Sequence, residues 1–325
     1  MGYLKELTKY ERICIQCHDN PDADTIASAF GVYTYLKENG VEARIVYSGK
    51  EHIQKFSICY MVEQCQIPIR YIDALPECDL LLTVDAQYGQ GNITRFEHDN
   101  VAIIDHHYPL VGNNKNYIIC DDYQSCATVV WELMKKEDYA VIENENLVIA
   151  FLFGLYTDTS CYSDLYREID MEMKLELTGE YPVLERLTKS NMTEQELMIA
   201  SQAMQNHELD VNYKLAIVEA VRCDQPILGI IGDFMIQVDS ILVTFVYTEA
   251  NEGYQISLRS CSDKYAANKM ASYICRDIGS GGGHAKKAGG RIAKKRLQEK
   301  YGEREFKEVV HELLCQYMET CKNTN

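Results

Sequence analysis

The feature that most constrains the fold is a set of short segments that are apolar at nearly every position. They are RICIQC (12–17), EARIVYS (42–48), DLLLTVDA (79–86) and NVAIIDH (100–106). A strand with one face in water alternates apolar and polar residues, whereas a strand covered by helices on both faces stays apolar. Helix-like stretches accompany these segments at 25–39, 125–138, 144–156 and 168–188. The first half is therefore predicted to be α/β, with a doubly wound parallel sheet.

The pattern changes after residue 190. Residues 191–212 are polar and helix-forming, which is typical of a helical linker. Strand-like segments then follow in KLAIVEAV, SILVTFVYTEA and YQISLRSC, with helices expected at 264–277 and 305–320. We predict a domain over 1–190, a linker over 191–212, and a smaller α/β domain over 213–325 in which a glycine-rich loop, 279–290, interrupts the pattern.

The charge distribution is uneven. The formal net charge is −17, which disfavours non-specific binding of long nucleic acid. Residues 254–300 nevertheless contain 11 Lys and Arg against 3 Asp and Glu. This surplus indicates either a solvated helix face or a patch that receives an anion. No apolar segment approaches the roughly 20 residues that cross a bilayer, and no signal peptide is visible, so we expect a cytoplasmic protein without membrane association.

Thirteen cysteines are scattered through the chain. Cys14 and Cys17 have the spacing of a zinc or redox motif. They lie in a predicted strand, and no second Cys or Cys/His pair stands at a matching distance. We therefore expect packed thiols in a reducing compartment, with a thiol-based metal or redox protein as the alternative.

Asp and His side chains follow three of the predicted strands, at the point where each strand ends. They are His18, Asp22 and Asp24, then Asp85, and then Asp105, His106 and His107. Asp158, in GLYTDT, ends a later apolar helix. In an open α/β sheet, ligands bind outside the carboxyl ends of the strands. One Asp after a strand is usually a helix cap or turn residue, but the whole set predicts a functional site.

The ligand types in this set indicate a kind of metal. Carboxylates mixed with imidazole suit Mn²⁺, with Mg²⁺, Co²⁺ or Fe²⁺ as alternatives, whereas a structural zinc site would favour thiolates. Four aspartates carry four negative charges, which two divalent ions would neutralise; without metal these carboxylates would repel one another. Two ions about 3.5–4 Å apart can activate a shared water for in-line attack on phosphorus.

The motifs HDNPDADTIAS, TVDAQ, IIDHH and GLYTDT, in this order, resemble the four motifs of the DHH phosphoesterase family, named for its Asp-His-His triplet. The segments SLRS (257–260) and GSGGGHAKKAGG (279–290) resemble the DHHA1 substrate-binding domain that accompanies it. The resemblance extends from residue 12 to about 295. It implies a two-metal phosphoesterase with a catalytic and a substrate-binding domain.

The resemblance also implies a role for each matching residue. One metal would be held by His18, Asp22 and Asp85. The other would be held by Asp24, Asp85, His106 and Asp158, with Asp85 bridging the two ions. Asp105 would orient an imidazole, and His107 would face the phosphate as a hydrogen-bond donor or general acid.

In the second domain, the resemblance implies an anion-binding surface. Gly282 and Gly283 would let backbone N–H groups approach a phosphate. Arg259 would clamp a terminal phosphate bidentately, and His284 would contact the substrate. Lys286 and Lys287 replace the less charged residues often seen after this histidine, so their roles stay open.

Members of the family differ in substrate. The DHHA1-like half argues against the inorganic pyrophosphatases, and the length and acidity argue against RecJ-like exonucleases and long double-stranded nucleic acid. We expect hydrolysis of short oligonucleotides, dinucleotides or 3′-phosphoadenosine-5′-phosphate (pAp) to mononucleotides, as in the bacterial stand-alone group. A cyclic-di-AMP phosphodiesterase and a catalytically silent nucleotide-binding protein are the alternatives, and the sequence leaves a homodimer open.

Overall fold

Residues 2–50, 52–112, 114–189 and 192–322 are described by a computed structural model. The chain divides into two units, 1–191 and 192–325, and each has its own sheet and hydrophobic core. Within the described residues, no helix combines the length and the apolar character that crossing a bilayer requires.

The first unit is built on six strands that all run parallel. They are β1 (Arg12–Gln16), β2 (Glu42–Tyr47), β3 (Ile69–Tyr71), β4 (Leu80–Val84), β5 (Val101–Asp105) and β6 (Tyr117–Ile119). Their order in the sheet is β3-β2-β1-β4-β5-β6. The chain therefore winds outward from β1 to one edge and then from β4 to the other. This order confirms the predicted doubly wound sheet and places its switch point between β1 and β4.

Helices flank this sheet. They are α1 (Tyr3–Leu7), α2 (Ala23–Glu38), α3 (Phe56–Gln64), α4 (Cys126–Lys135), α5 (Glu145–Asp158), α6 (Glu168–Leu177) and α7 (Pro182–Lys189), with a 3₁₀ turn at Val141–Glu143. The helix predicted over 168–188 is two helices, because Thr178 is extended and Pro182 starts a new helix where its missing N–H is not needed. Helix α2 packs against α4 and α5 and is buried along most of its length.

The second unit holds a mixed sheet of six strands. They are β7 (Glu208–Asp210), β8 (Leu215–Ala220), β9 (Val243–Ala250), β10 (Gly253–Ser260), β11 (Gly279–Gly283) and β12 (Lys287–Ala293), in the order β11-β12-β10-β9-β8-β7. All neighbours are antiparallel except β8 and β9. The helices are α8 (Glu194–Gln205), α9 (Gln225–Met235), α10 (Ala267–Cys275), α11 (Lys294–Tyr301) and α12 (Phe306–Lys322). The α/β class predicted for this half is confirmed.

Two segments differ from the sequence prediction. The glycine-rich segment 279–290, expected as a loop, lies almost wholly in the β11–β12 hairpin. Gly281 permits this, because a Cβ there would lie 2.8 Å from Sγ of Cys275 on α10. The expected linker, 191–212, contains α8, whose Ala200 and Ala203 are buried against β8 and α9 in the second unit.

Candidate metal centre

The predicted ligands of the first unit converge at the carboxyl ends of three adjacent strands. Strand β1 pairs with β4, and β4 pairs with β5, so the segments that follow them emerge side by side at the switch point. Three groups have ligand atoms that all lie within 4.8 Å of one another. They are His18, Asp22 and Asp85; Asp24, His106 and Asp158; and Asp85, His106 and His107.

The first group is arranged around His18. Its Nε2 lies 3.6 Å from Oδ2 of Asp22 and 3.7 Å from Oδ2 of Asp85. Asp22 is also the N-cap of α2, and its Oδ1 accepts hydrogen bonds from the backbone N–H groups of Asp24 and Thr25, both at 3.1 Å. The cap fixes one carboxylate oxygen and leaves the other facing the imidazole.

The second group is arranged around His106. Its Nδ1 lies 3.2 Å from the carbonyl oxygen of Tyr123, so this nitrogen donates and Nε2 carries the lone pair. Nε2 lies 3.3 Å from Oδ1 of Asp85, 3.5 Å from Oδ2 of Asp158 and 3.9 Å from Oδ2 of Asp24. The backbone carbonyl therefore sets the ring orientation that a metal ligand needs.

Asp24 is held by a different helix from the one that carries it. Its two carboxylate oxygens accept hydrogen bonds from the N–H groups of Cys126, at 2.6 Å, and Ala127, at 2.9 Å, at the start of α4. Gly154 of α5 packs beside this carboxylate. Three helices thus fix one side chain.

Asp85 lies between the two groups. It follows β4 with φ +55°, a left-handed conformation that Asp adopts more readily than most residues. Its side chain is buried, with one oxygen toward His18 and the other toward His106. This is the arrangement that a bridging ligand requires.

The electrostatics of the centre fit divalent cations. Burial, together with the charges of Asp24 and Asp22, raises the pKa of both Asp85 and Asp158 well above the ordinary range. Burial also raises the pKa of Asp24 to about 6. Among the described residues, Nε2 of His106 and Oδ1 of Asp85 make no hydrogen bond although both are buried. Positive charge at the centre would satisfy these atoms and relieve the repulsion.

His107 stands at the solvent side of the centre. Its side chain is half exposed, and its Nδ1 lies 2.9 Å from Oδ1 of Asp105, so Nε2 is the nitrogen left for other partners. Burial alone would lower the pKa of His107, but the hydrogen bond to Asp105 raises it above the ordinary value. Asp105 thus contacts His107, the imidazole next to the predicted ligand His106.

Gln87 is a site residue for which the sequence analysis assigned no role. It is buried, and its amide nitrogen donates to Oδ2 of Asp105 at 2.7 Å and to the carbonyl of Tyr108 at 3.0 Å. Its oxygen accepts from the N–H groups of Leu110, at 2.7 Å, and Val111, at 3.2 Å. In the sequence, the only indication of this role is an amide side chain two residues after the predicted bridging Asp85, in TVDAQ.

The second unit brings together the residues predicted to bind substrate. Arg259 on β10 pairs in register with Lys287 on β12, and the carbonyl of Lys287 accepts from the N–H of His284 at 2.7 Å. Gly283, with φ +135°, ends β11 at the same side. A Cβ at Gly282 would meet no atom of the described residues within 4 Å, so packing does not require this glycine.

Arg259 has partners within the second unit. Its Nε donates to Oδ1 of Asp233 on α9 at 2.5 Å, and its Nη1 donates to Oγ of Ser257 at 3.0 Å. The guanidinium passes so close to Gly229 that a Cβ there would lie 2.7 Å from Nη2. Bidentate binding of a phosphate by Arg259 requires exchange of these partners.

The thiols of the CxxC segment have separate surroundings. Sγ of Cys14 lies 3.9 Å from the carbonyl oxygen of Pro76, and Sγ of Cys17 lies 3.7 Å from that of Thr25. Both are buried, and among the described residues neither belongs to a group of three potential metal ligands. This fits the expectation of packed thiols.

The fold and site define an α/β domain with a candidate metal centre, followed by a second domain with a mixed sheet. Residues 12–155 match the DHH family, N-terminal domain, and residues 212–317 match the DHHA1 domain. The chain therefore belongs to the DHH/DHHA1 phosphoesterase family, as the resemblance in the sequence implied.

Two bacterial proteins are similar to this chain in sequence, and the crystal structure of a third is similar in fold. The cyclic-di-AMP phosphodiesterase GdpP of Geobacillus thermodenitrificans is 22% identical over 95% of this chain and 49% of its own length. A probable manganese-dependent inorganic pyrophosphatase of Streptococcus mutans is 28% identical over 46% of this chain and 48% of its own. An exopolyphosphatase-related protein from Bacteroides fragilis has the same fold, with TM-score 0.72, 18% identity, and coverage of 99% of this chain and 98% of that one. The chain spans about half to three-fifths of the length of its curated relatives.

Proposed function

We propose that this protein is a two-metal phosphoesterase that hydrolyses short oligonucleotides, dinucleotides or pAp to mononucleotides. The observation that carries the proposal is the position of Asp85, with its two oxygens 3.7 Å from Nε2 of His18 and 3.3 Å from Nε2 of His106. One carboxylate between two imidazole-containing ligand groups supports a pair of bridged divalent ions rather than one isolated ion.

The ligand chemistry supports Mn²⁺ as the metal. The six ligands are four carboxylates and two imidazoles, a set that suits Mn²⁺ better than a thiolate-preferring ion. The manganese dependence of the S. mutans relative agrees with this choice. When bound, two such ions would supply an activated water and stabilise charge on the phosphoryl oxygens.

The protein's own residues would then orient and protonate the substrate. His107, with Nδ1 fixed by Asp105, would present Nε2 to a phosphoryl oxygen or to the leaving oxygen. The raised pKa of this imidazole favours the protonated form that a general acid needs. Gln87 would keep Asp105 ionised and aligned through its hydrogen bond at 2.7 Å.

Two surfaces support a small nucleotide as the substrate. Tyr108 directly follows His107 and is 75% exposed, so its ring is available to stack on a base beside the metal centre. In the second unit, Arg259 and Lys287 are paired in register on neighbouring strands, and a Cβ at Gly282 would meet no described atom within 4 Å, which leaves room beside its backbone for a terminal phosphate.

A cyclic-di-AMP phosphodiesterase is the second candidate. The specific observation in its favour is that the similarity to GdpP extends over 95% of this chain and includes both domains. Because the proposed chemistry at phosphorus is the same, the two candidates differ only in the substrate that the second domain admits.

A substrate panel tests the proposal. Purified protein with Mn²⁺ is given pAp, ribonucleotides of two to five residues, linear pApA and cyclic di-AMP, and products are separated by chromatography. We expect turnover of pAp or the short linear substrates, with cyclic di-AMP slower. Faster hydrolysis of cyclic di-AMP than of pApA would favour the second candidate.

Matched variants identify the site responsible. Asp85→Asn should abolish turnover of every substrate. Tyr108→Ala should raise KM for nucleotides while Tyr108→Phe retains wild-type KM, because the ring and not the hydroxyl stacks on the base. Nucleotide binding without Mn²⁺-dependent turnover in the wild type would indicate a sensor instead of an enzyme.

A further inference from the structure

Three potential metal ligands of different types meet in the second unit, far in sequence from the DHH motifs. They are Asp210 at the end of β7, and His311 and Cys315 on α12. We propose that these three residues form an additional site for a divalent cation that prefers thiolate ligands, such as Zn²⁺.

The ligand atoms are already close to one another. Oδ2 of Asp210 lies 2.9 Å from Nε2 of His311, and Nε2 of His311 lies 3.6 Å from Sγ of Cys315. All three atoms lie within 4.8 Å of one another. Side-chain rotations that bring Asp210 and Cys315 toward a common point would place one ion at bonding distance from all three atoms.

The separations can be compared with a tetrahedral zinc site. With Zn–N near 2.05 Å and Zn–S near 2.3 Å, tetrahedral angles place nitrogen and sulfur about 3.6 Å apart, and nitrogen and oxygen about 3.3 Å apart. The 3.6 Å between Nε2 of His311 and Sγ of Cys315 already equals the nitrogen–sulfur distance of such a site. The Asp210–His311 pair, at 2.9 Å, would have to open by only about 0.4 Å.

The backbone holds the ligands in place. His311 and Cys315 are four residues apart on α12, so they lie one above the other on the same helix face. The neighbouring Val310 and Leu314 are buried in the core of the second unit and fix the rotation of that helix. Oδ1 of Asp210 accepts hydrogen bonds from the N–H groups of Asn212, at 2.9 Å, and Tyr213, at 3.3 Å, which leaves Oδ2 for His311.

Access and ligand count favour a site that exchanges with solvent. The His311 side chain is 45% exposed and Asp210 and Cys315 are partly exposed, so an ion can enter without unfolding. Three protein ligands leave a fourth tetrahedral position for water. In the absence of metal, the same contacts amount to a carboxylate–imidazole hydrogen bond beside a thiol, and this is the simpler explanation that the experiment must exclude.

The sulfur distinguishes this site from the centre in the first unit. None of the ligands proposed there is a cysteine, and a thiolate selects Zn²⁺ or Co²⁺ over Mn²⁺. Thiolate-to-cobalt charge transfer gives an absorption band in the near ultraviolet that carboxylate and imidazole ligands do not give. The band reports on this site even when the other centre also takes up Co²⁺.

The test is a Co²⁺ titration of the full chain under reducing conditions, with Asp85→Asn as background to weaken the first centre. We expect a thiolate–cobalt band that saturates at one equivalent and is displaced by Zn²⁺. Cys315→Ser should remove the band, and His311→Gln should weaken Co²⁺ binding about tenfold or more. Cys321→Ser, a half-buried cysteine on the same helix, is the matched control and should keep it.

Two outcomes would overturn the proposal. One is a wild-type protein that shows no thiolate band up to several equivalents of Co²⁺. The other is a band that persists in Cys315→Ser, whether or not Cys321→Ser removes it. Circular dichroism of each variant establishes that loss of the band does not come from loss of the fold.

Discussion

Two glycines in the contact between α2 and α5 allow the position of Asp24 to be tested separately from stability. A Cβ at Gly154 of α5 would lie 3.0 Å from Oδ1 of Asp24, 3.1 Å from its Cα and 3.3 Å from Cβ of Ala27. A Cβ at Gly31 of α2 would lie 2.5 Å from Cζ of Phe151 and 2.8 Å from Cγ1 of Val130. Both substitutions to Ala therefore add one methyl group to a tight helix contact, but only the first one presses on a proposed metal ligand.

The two substitutions should change the free energy of unfolding by different amounts, because the new methyl groups meet different contacts. Gly→Ala inside a helix gains about 1 kcal/mol of helix propensity, and overpacking a core costs about 1–3 kcal/mol. At Gly154 the overlap is a few tenths of an ångström, so we expect the two effects to cancel to within about 1 kcal/mol. At Gly31 the overlap is larger and involves an aromatic ring, so we expect a net loss of about 1–2 kcal/mol.

The metal affinity should follow the opposite order. Gly154→Ala has to move Asp24, whose oxygens are tied to the N–H groups of Cys126 and Ala127, and displacement of such support typically weakens metal binding about 10–100-fold. Gly31→Ala should leave affinity within about twofold of wild type. Urea unfolding in EDTA gives the stabilities, and calorimetric titration with Mn²⁺ gives the affinities. Equal affinity in Gly154→Ala and wild type, or equal losses in both variants, would refute the reasoning.

Four further changes test other parts of the centre. Asp85→Asn keeps a residue that tolerates φ +55° but removes a buried charge. The free energy of unfolding of the metal-free protein, measured with urea, should therefore rise by about 1 kcal/mol or more, while Mn²⁺-dependent turnover is lost. Unchanged turnover would exclude the bridging role. The pKa of Asp24, raised to about 6, means that the folded metal-free protein binds more protons than the unfolded chain between about pH 4 and 6. Its unfolding free energy should therefore fall as pH rises through that window, by up to about 3 kcal/mol from this group, and Asp24→Asn should flatten the curve; a rise with pH in EDTA would contradict the assignment. Gln87→Leu should lower kcat about tenfold or more and shift the pH profile of kcat, with Mn²⁺ affinity unchanged, since it removes a hydrogen bond to Asp105 and none to a metal ligand; the exposed Gln90→Leu is the control. Cys14→Ala and Cys17→Ala should leave turnover at the wild-type level, and a parallel loss in both would support the thiol alternative.

The parallel sheet could be predicted because its signal is local. The segments at β1, β4 and β5 are apolar on both faces. The polar side chains of the predicted site begin where each of these strands ends. The position of the ligands followed from a general property of open sheets, namely that the carboxyl ends of parallel strands meet at one edge. The grouping of the ligands, in contrast, came from the family resemblance.

Other features depend on contacts that one sequence does not reveal. The glycines of 279–290 favour a loop by composition, but 279–283 pairs with β12 as a strand, and Gly281 leaves the space that Cys275 of α10 occupies. Polar helix α8 suggested a linker, yet two small residues, Ala200 and Ala203, are enough to bury one face of it. The hydrogen bond from the N–H of Cys126, at the start of α4, to Asp24 joins residues about 100 positions apart, and no local sequence pattern predicts it.

The order of strands at the switch point has a consequence for how this protein is made. The proposed ligands extend from His18 to Asp158, and they meet only when β1 has paired with β4, a strand formed more than 60 residues later in synthesis. A growing chain therefore cannot assemble this binding site until nearly the whole first unit has emerged and folded. Once the site exists, an ion that binds only the folded state stabilises it by about 2.7 kcal/mol when its concentration is about 100 times Kd. A larger supply of the proposed divalent ion would then raise the fraction of newly made chains that remain folded.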